Sequence, residues 1–464
     1  MRNLYHLHLN SKLLALAPIE PTLRFVVVLA IANLPFLWLE HSEFMSRAMI
    51  NVDLALALCI LPRLPIFGIA MLAIAWGADW IVNLAMAFHF SSPAEFVKSI
   101  KYSASLDYKG FIQWPQVIWT ITFIVVGTLL YFVTRRQHNM WQPGIAITFL
   151  LIFADAVNGS SVLSSRSALR YPVNLAGSPS IILVISLIHT SASEHLLKLR
   201  KENTVQGLVN IPDWAAANPD RGILFVIVES LGVPTDSTMR EWVQSQWLTP
   251  SLHQRFNVHT ADIPFKGSTT SAELRSLCTL AGSYRRVDSA QGANCLTAQL
   301  AANGWSTIGM HGFSGRMFNR ENWWPKVGIQ TAIFGEAPEF QGVRCGTVFR
   351  GGCDTTLLAM GVKALAPSRF VYLLTLNTHI PIDRPALGTP IPPKCDSLES
   401  NSEVCDHVSA TTAVLRQLQQ ELETVSVAPL VVVIGDHAPP FSNKLSRQAF
   451  LQDKVPAAVL VPRY

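Results

Sequence analysis

Apolar runs crowd the first third of this 464-residue chain. Phe25–Leu39 comes first. A run from about Val52 to Leu61 follows, interrupted by Arg63 with Pro62 and Pro65. Then come Leu64–Phe90, Val117–Val133 and about Pro143–Val157. A bilayer core asks for about 20 apolar residues per helix, and flanking residues extend the shorter runs toward that length. We read five helical spans in residues 1–157. Composition agrees: 50% of residues are hydrophobic and 14% charged, against about 25% charged in a soluble domain. That excludes a disordered chain, a coiled coil and a nucleic-acid coat protein. Lys and Arg number 36 and Asp and Glu 31, a net +5, too small a surplus for a polyanion partner, so no nucleic acid is expected.

Orientation follows from the positive residues. If five spans alternate, Arg2, Lys12, Arg24, Arg63, Arg135 and Arg136 share one side, and Arg47, Lys98, Lys101 and Lys109 the other, three of these in a longer loop. Positive charge in short loops stays cytoplasmic, so an odd number of spans exports everything after about residue 158. The first run is no cleavable signal peptide, because no small-residue cleavage site follows it and more spans come after. Cysteine usage is an independent check. Cys59 lies in a span, and Cys278, Cys295, Cys345, Cys353, Cys395 and Cys405 all fall in the exported part. An even number in an oxidising compartment suggests three disulfides out of about 15 pairings. Proximity favours Cys278–Cys295, Cys345–Cys353 and Cys395–Cys405; a zinc cluster is the rival reading, though no CxxC pair exists.

Residues 158–221 read as a connector. Its Ile181–Ile188 run is too short to span and leads to His195, Lys198, Arg200 and Lys201, a pattern that fits an amphipathic helix on the membrane surface. From 222 to 464 the texture is α/β. Ile223–Val228, Ser306–Met310, Arg369–Leu376, Leu430–Ile434 and Ala457–Val461 are expected strands, with helical stretches such as Thr411–Glu423 between them. Strands alternating with helices imply a mostly parallel sheet covered on both faces. Ligands bind such sheets at the carboxyl ends of the strands.

Those ends carry chemistry. Glu229-Ser230, His311, Asn377-Thr378-His379 and Asp436-His437 each follow an expected strand. Two carboxylates and an imidazole suit one divalent metal ion: zinc, manganese or magnesium. Taken singly, each is as readily a helix cap or loop residue. Thr270 to Glu273 reads as a capping box with Thr270 at the N-cap. Thr269, one residue earlier, sits beside a helix N-terminus, where backbone amides stabilise phosphate oxygens. Acids within apparent spans, Asp53 and Asp79, invite a functional reading, but no inverted repeat accompanies them and a transporter is disfavoured.

The motifs VIVES (226–230), GSTTSAE (267–273), HGFSGRMFNRENWW (311–324), LNTHIP (376–381) and GDHAPPF (435–441), in this order, resemble the membrane-anchored, sulfatase-fold transferases of the alkaline phosphatase superfamily. That group includes lipoteichoic acid synthases and phosphoglycerol and phosphoethanolamine transferases. The resemblance covers most of 222–464. It implies an alkaline phosphatase/sulfatase-like domain in which Glu229, Thr269, Asp436 and His437 hold the metal and Thr269 is the nucleophile. By the same resemblance Phe318, Asn319, Arg320 and His311 lie near the substrate, with Arg320 holding a phosphate oxygen, and His379 protonates the leaving oxygen or hydrogen-bonds the phosphate. It further implies transfer of a phospholipid head group, phosphoglycerol or phosphoethanolamine, to an envelope glycan or glycolipid. The resemblance also implies a phospho-threonine as the covalent intermediate and a place in the bacterial cytoplasmic membrane with the catalytic domain outside.

Departures from the family pattern matter. No C/S-x-P-x-R motif is present, which disfavours sulfate-ester hydrolysis. Asp436-His437-Ala438-Pro439 stands where the phosphoethanolamine branch often has DHGE, while the exported cysteines are closer to that branch. The chain stops at Tyr464, soon after the last expected strand, so the family's C-terminal portion looks trimmed. Two other functions use the same features: a membrane-bound phosphodiesterase or phosphatase with water as acceptor, and a non-catalytic component of polysaccharide assembly.

Overall fold

The computed structural model describes residues 21–43, 48–106, 114–135, 137–157, 176–192, 197–198, 205–382, 390–395, 402–441 and 444–463. Arg2, Lys12, Arg47, Lys109 and Arg136, which entered the orientation argument, lie outside the described residues, as do His195, Arg200, Lys201 and most of the connector. The chain forms two compact units: residues 1–40, 46–80 and 115–184, and residues 41–45, 81–114 and 185–464. Residues 81–114, which the sequence groups with the apolar third, thus belong to the second unit.

The first unit is built from the helices Pro21–Glu43, Val52–Ile60, Pro65–Ala87, Trp114–Thr134, Trp141–Val157 and Pro179–Ala192, some of which run on past its limits. Phe25, Leu29, Leu54, Leu58, Leu61 and Leu72 fill its core. Gly144 permits close packing there, since a Cβ would fall 2.6 Å from Cys59 Sγ and from Phe25. Among the described residues one helix, Pro65–Ala87, is long and apolar enough to cross a membrane; the apolar stretches Pro21–Pro35, Thr120–Thr134, Trp141–Phe153 and Pro179–Ile188 are shorter. The second expected span is corrected: Val52–Ile60 has 9 residues, and at about 1.5 Å per residue it cannot cross a core of about 30 Å. The two acids have structural partners. Asp53 accepts from Ser178 Oγ (2.5 Å) and Ser180 N (2.8 Å), and Asn51 Nδ2 donates to Asp79 Oδ2 (2.9 Å).

The second unit is a seven-stranded sheet. Its strands in chain order are β1 Ile223–Val228, β2 Phe256–Pro264, β3 Ser306–His311, β4 Thr331–Ile333, β5 Arg369–Leu374, β6 Leu430–Gly435 and β7 Lys454–Pro462, and their spatial order is β2-β7-β6-β1-β5-β3-β4. From β6 to β4 all neighbours are parallel. β7 is antiparallel to both β6 and β2, so the sheet is mixed. All of β1 is buried, as a strand covered on both faces must be. Alternate residues serve opposite layers. Phe225, Phe370 and Tyr372 pack with Leu274 and Leu277 of the helix Thr269–Cys278. Leu224, Val226 and Val371 pack with Leu357 of Asp354–Lys363 and Leu415 and Leu418 of Ser402–Thr424. The five expected strands are present; β2 and β4 lie at the two edges and were not anticipated. The disulfides are Cys278–Cys295, Cys345–Cys353 and Cys395–Cys405, the pairing that proximity favoured.

Candidate metal centre and nucleophile

Parallel β1 and β6 lie side by side with Val228 opposite Gly435, so their next residues, Glu229 and Asp436, emerge together at one sheet edge. The backbone then turns sharply. Ser230 takes a left-handed φ of 56°, unusual without glycine, and its N–H donates to Asp436 Oδ1 at 2.7 Å. His437 N donates to the same oxygen at 2.7 Å. Asp436 Oδ2 is buried and has no hydrogen-bond partner. Glu229 is fixed by its N–H to Thr375 Oγ1 (2.9 Å), by Thr378 Oγ1 on its carbonyl (2.5 Å) and by Ser230 Oγ on Oε1 (2.9 Å).

His437 Nδ1 donates to the Ala438 carbonyl at 2.9 Å. That bond turns Nε2 into the cluster, 3.3 Å from Asp436 Oδ2 and 3.7 Å from Glu229 Oε1. One ligand atom each from Glu229, Asp436 and His437 lies within 4.8 Å of the others, all three residues buried. Burial, and then the Glu229 charge, push the Asp436 carboxyl up to about 7. An imidazole nitrogen and two carboxylates facing one another, one oxygen unpaired, form a donor set for a cation. The N/O ligands fit zinc, manganese or magnesium.

Thr269 completes the group. It is the first residue of the helix Thr269–Cys278, half-buried, and its Oγ1 donates to Glu229 Oε2 at 3.2 Å and lies 3.4 Å from His437 Nε2. Gly267 makes the preceding turn, with φ 87° and no room for a Cβ, which would fall 2.4 Å from Ser271 Oγ. The capping box is corrected here. Ser268, not Thr270, occupies the N-cap position, without a side-chain cap bond. Glu273 Oε1 accepts Arg320 Nε (3.0 Å) and Nη2 (2.8 Å), and Oε2 accepts Trp324 Nε1 (2.8 Å), in full burial. Arg320 is thus held by an internal carboxylate where the sequence placed a phosphate.

The other sequence-named residues divide. His379 Nδ1 donates to the Ile380 carbonyl at 2.8 Å, and its ring packs against Phe349 with centroids 4.0 Å apart and planes tilted by 46°. Burial, and then His437, pull it down to about 4. His311 Nδ1 donates to the Leu374 carbonyl at 2.9 Å, and burial with Arg320 beside it pulls it down to about 3. Phe318 and Asn319 are both left-handed, φ 53° and 58°. Phe318 packs near Tyr102 and Tyr284, and Asn319 Oδ1 accepts from Asn322 at 2.6 Å. Sequence reasoning missed several contributors. Asp354, fully buried and pushed up to about 7 mainly by that burial, accepts the N–H groups of Leu376 and Asn377 and so fixes the loop of His379. Arg275 Nη2 donates to the Asp436 carbonyl at 3.0 Å. Neither has a local sequence signature, because both act across long separations.

No protein-family model matches the chain, and no curated protein matches it. Solved structures similar to it include a lipoteichoic acid synthase from Listeria monocytogenes (16% identity, 54% of this chain and 67% of that one, TM-score 0.40). Another is a protein of the alkaline phosphatase superfamily from Vibrio parahaemolyticus (16%, 53% and 60%, 0.38). A third is a phosphoglycerol transferase from Streptococcus pyogenes in complex with sn-glycerol-1-phosphate (16%, 57% and 78%, 0.39). The chain spans 60% to 78% of the length of these three.

Proposed function

We propose that this chain transfers a phospholipid head group, phosphoglycerol or phosphoethanolamine, to a hydroxyl of an envelope glycan or glycolipid through a phospho-threonine intermediate. The observation that carries the reading is the position of Thr269 Oγ1, 3.2 Å from Glu229 and 3.4 Å from His437 at the mouth of a buried carboxylate–imidazole cluster. Glu229, Asp436 and His437, with Thr269, would hold one divalent cation, which supplies a lowered hydroxyl pKa and charge for phosphate oxygens. Thr269 attacks phosphorus, forming the Thr–O–P bond and breaking the bond to diacylglycerol. Its proton lies on the line to Glu229 Oε2 and ends on the departing glycerol oxygen. The acceptor hydroxyl then displaces Thr269. His379, whose Nδ1 proton is committed to Ile380, has a lone pair at Nε2 and takes the acceptor's proton, which passes to Thr269 Oγ1 as the Thr–O–P bond breaks, so that the free hydroxyl is restored. Glu273 and Arg320 brace the nucleophile helix. A multi-pass anchor in the bacterial cytoplasmic membrane, with the catalytic unit outside, fits a donor that is itself a bilayer lipid, and the disulfides fit an oxidising compartment.

The test is diacylglycerol release from phospholipid vesicles by the full-length protein. Release should require a divalent metal and vanish in Asp436→Ala. Undiminished release by that variant would remove the site from the reading.

A further inference from the structure

His89 follows the helix Pro65–Ala87 and belongs to the same compact unit as the sheet. Its ring touches two parts of the candidate site. One is His437, with ring centroids 5.3 Å apart and planes tilted by 35°. The other is Phe265, met edge-on at 5.4 Å, which opens the loop leading through Gly267 to Thr269. The backbone at this point is pinned. His89 takes a left-handed φ of 55°, a strained conformation for a side-chain-bearing residue that only firm surroundings maintain. Two residues earlier the Ala87 carbonyl accepts Arg447 Nη2 at 2.8 Å. His89 is 8% exposed, and its Nε2 has no hydrogen-bond partner.

We propose that His89 is a positioning residue for the metal centre, its ring buttressing His437 so that His437 Nε2 stays directed at Glu229 and Asp436. The inference rests on the reading of Glu229, Asp436 and His437 as metal ligands. Among the described residues the short hydrogen bond that orients the His437 ring is the one from Nδ1 to Ala438, at 2.9 Å; Thr269 Oγ1 stands farther off, 3.4 Å from Nε2, and both contacts lie at the ring's edge, which leaves its faces free to rock. A flat neighbour packed on the ring restricts that motion. Outer partners that orient a ligating histidine typically govern about 10- to 100-fold in metal affinity. His89 also hydrogen-bonds the Ala438 backbone, but its Nε2 makes no hydrogen bond, and what it presents to His437 is the ring itself. A phenyl group should therefore replace it, and an amide should not.

The experiment titrates Zn²⁺ and Mn²⁺ into metal-free, full-length protein by calorimetry and follows thermal unfolding of the same samples without metal. His89→Ala and His89→Gln should weaken binding about 10- to 100-fold, while His89→Phe binds as the parent does and melts with it. Parent-like affinity in His89→Ala or His89→Gln, or weak binding by a folded His89→Phe, overturns the proposal. If His89→Ala does not fold, the Phe and Gln variants decide between them. Asp436→Ala is the companion arm. If it keeps parent affinity, the metal reading fails and the positioning role falls with it; if it loses the metal while His89→Ala keeps it, only the role of His89 is lost.

Discussion

Thr269 and Thr270 are adjacent, and the fold gives them different work. Thr269 points its hydroxyl at Glu229, whereas Thr270 is buried in the first turn of the same helix. Thr269→Ala should lower turnover by about 10³-fold or more, as loss of a nucleophile does, with the metal still held by Glu229, Asp436 and His437. Thr270→Ala should keep turnover and lose about 1 kcal/mol of stability through lost burial, measured by urea denaturation. An active Thr269→Ala beside a folded, inactive Thr270→Ala would move the nucleophile by one residue. Acid stability has its own residue-scale source. His407 is buried, donates from Nε2 to the Ser230 carbonyl at 2.9 Å, and is pulled from 6.5 to about 4 by burial and then by His437. Between those values the unfolded chain binds a proton that the folded one refuses. Stability is therefore full above pH 6.5 and falls as pH drops toward 4, by about 3 kcal/mol from this group. His407→Gln, which can still donate to Ser230, should flatten the stability profile over that window; an unchanged slope would assign the acid sensitivity elsewhere.

The elements differ in how plainly the sequence announces them. β1, β5 and β6 are readable because a strand buried on both faces must be apolar throughout. An acid or imidazole directly after such a run then stands out, and that exposed Glu229, Asp436 and His437. Edge strands carry no such mark: β2 alternates with polar residues and is exposed along much of its length, and β4 has three residues, none buried. The helix Thr269–Cys278 was foreseen, but its Glu273 was misassigned, because the residues that hold it, Arg320 and Trp324, lie 47 and 51 positions away. No local pattern reports a partner at that distance. The pairing makes a prediction at this scale. Arg320→Met leaves a buried carboxylate uncompensated, and breaking a buried pair in this way typically costs about 3–5 kcal/mol. Adding Glu273→Gln should recover part of that loss in denaturant unfolding. A double variant weaker than the single would show that the two residues are not coupled as the structure places them.

At the scale of the whole molecule, hydropathy separated an apolar third from an α/β remainder but could not find where residues 81–114 belong. The described ones among them form no strand, and none belongs to a sequence motif. They join the sheet-bearing unit through tertiary contacts such as Arg285 Nη1 on Glu95 Oε2 at 2.5 Å and the packing of His89 on His437. The shortness of Val52–Ile60 was visible in its run, which Pro62, Arg63 and Pro65 interrupt; what failed was the expectation that flanking residues would extend it to a span. Cysteine spacing was a better guide, because near neighbours in sequence are the cheapest to bring together. Export of the α/β unit predicts that a reporter active only in the cytoplasm, fused after Tyr464, is silent; strong activity would contradict both the orientation and the oxidising compartment. The central claim is that Thr269 carries the transferred group. The most direct measurement is mass spectrometry of the peptide containing Thr269, after the full-length protein has been incubated with mixed phospholipids and metal and quenched before acceptor is added. The account predicts added mass equal to one phosphoglycerol or phosphoethanolamine on Thr269, absent in Thr269→Ala; an unmodified Thr269 peptide from protein that is releasing diacylglycerol would contradict it.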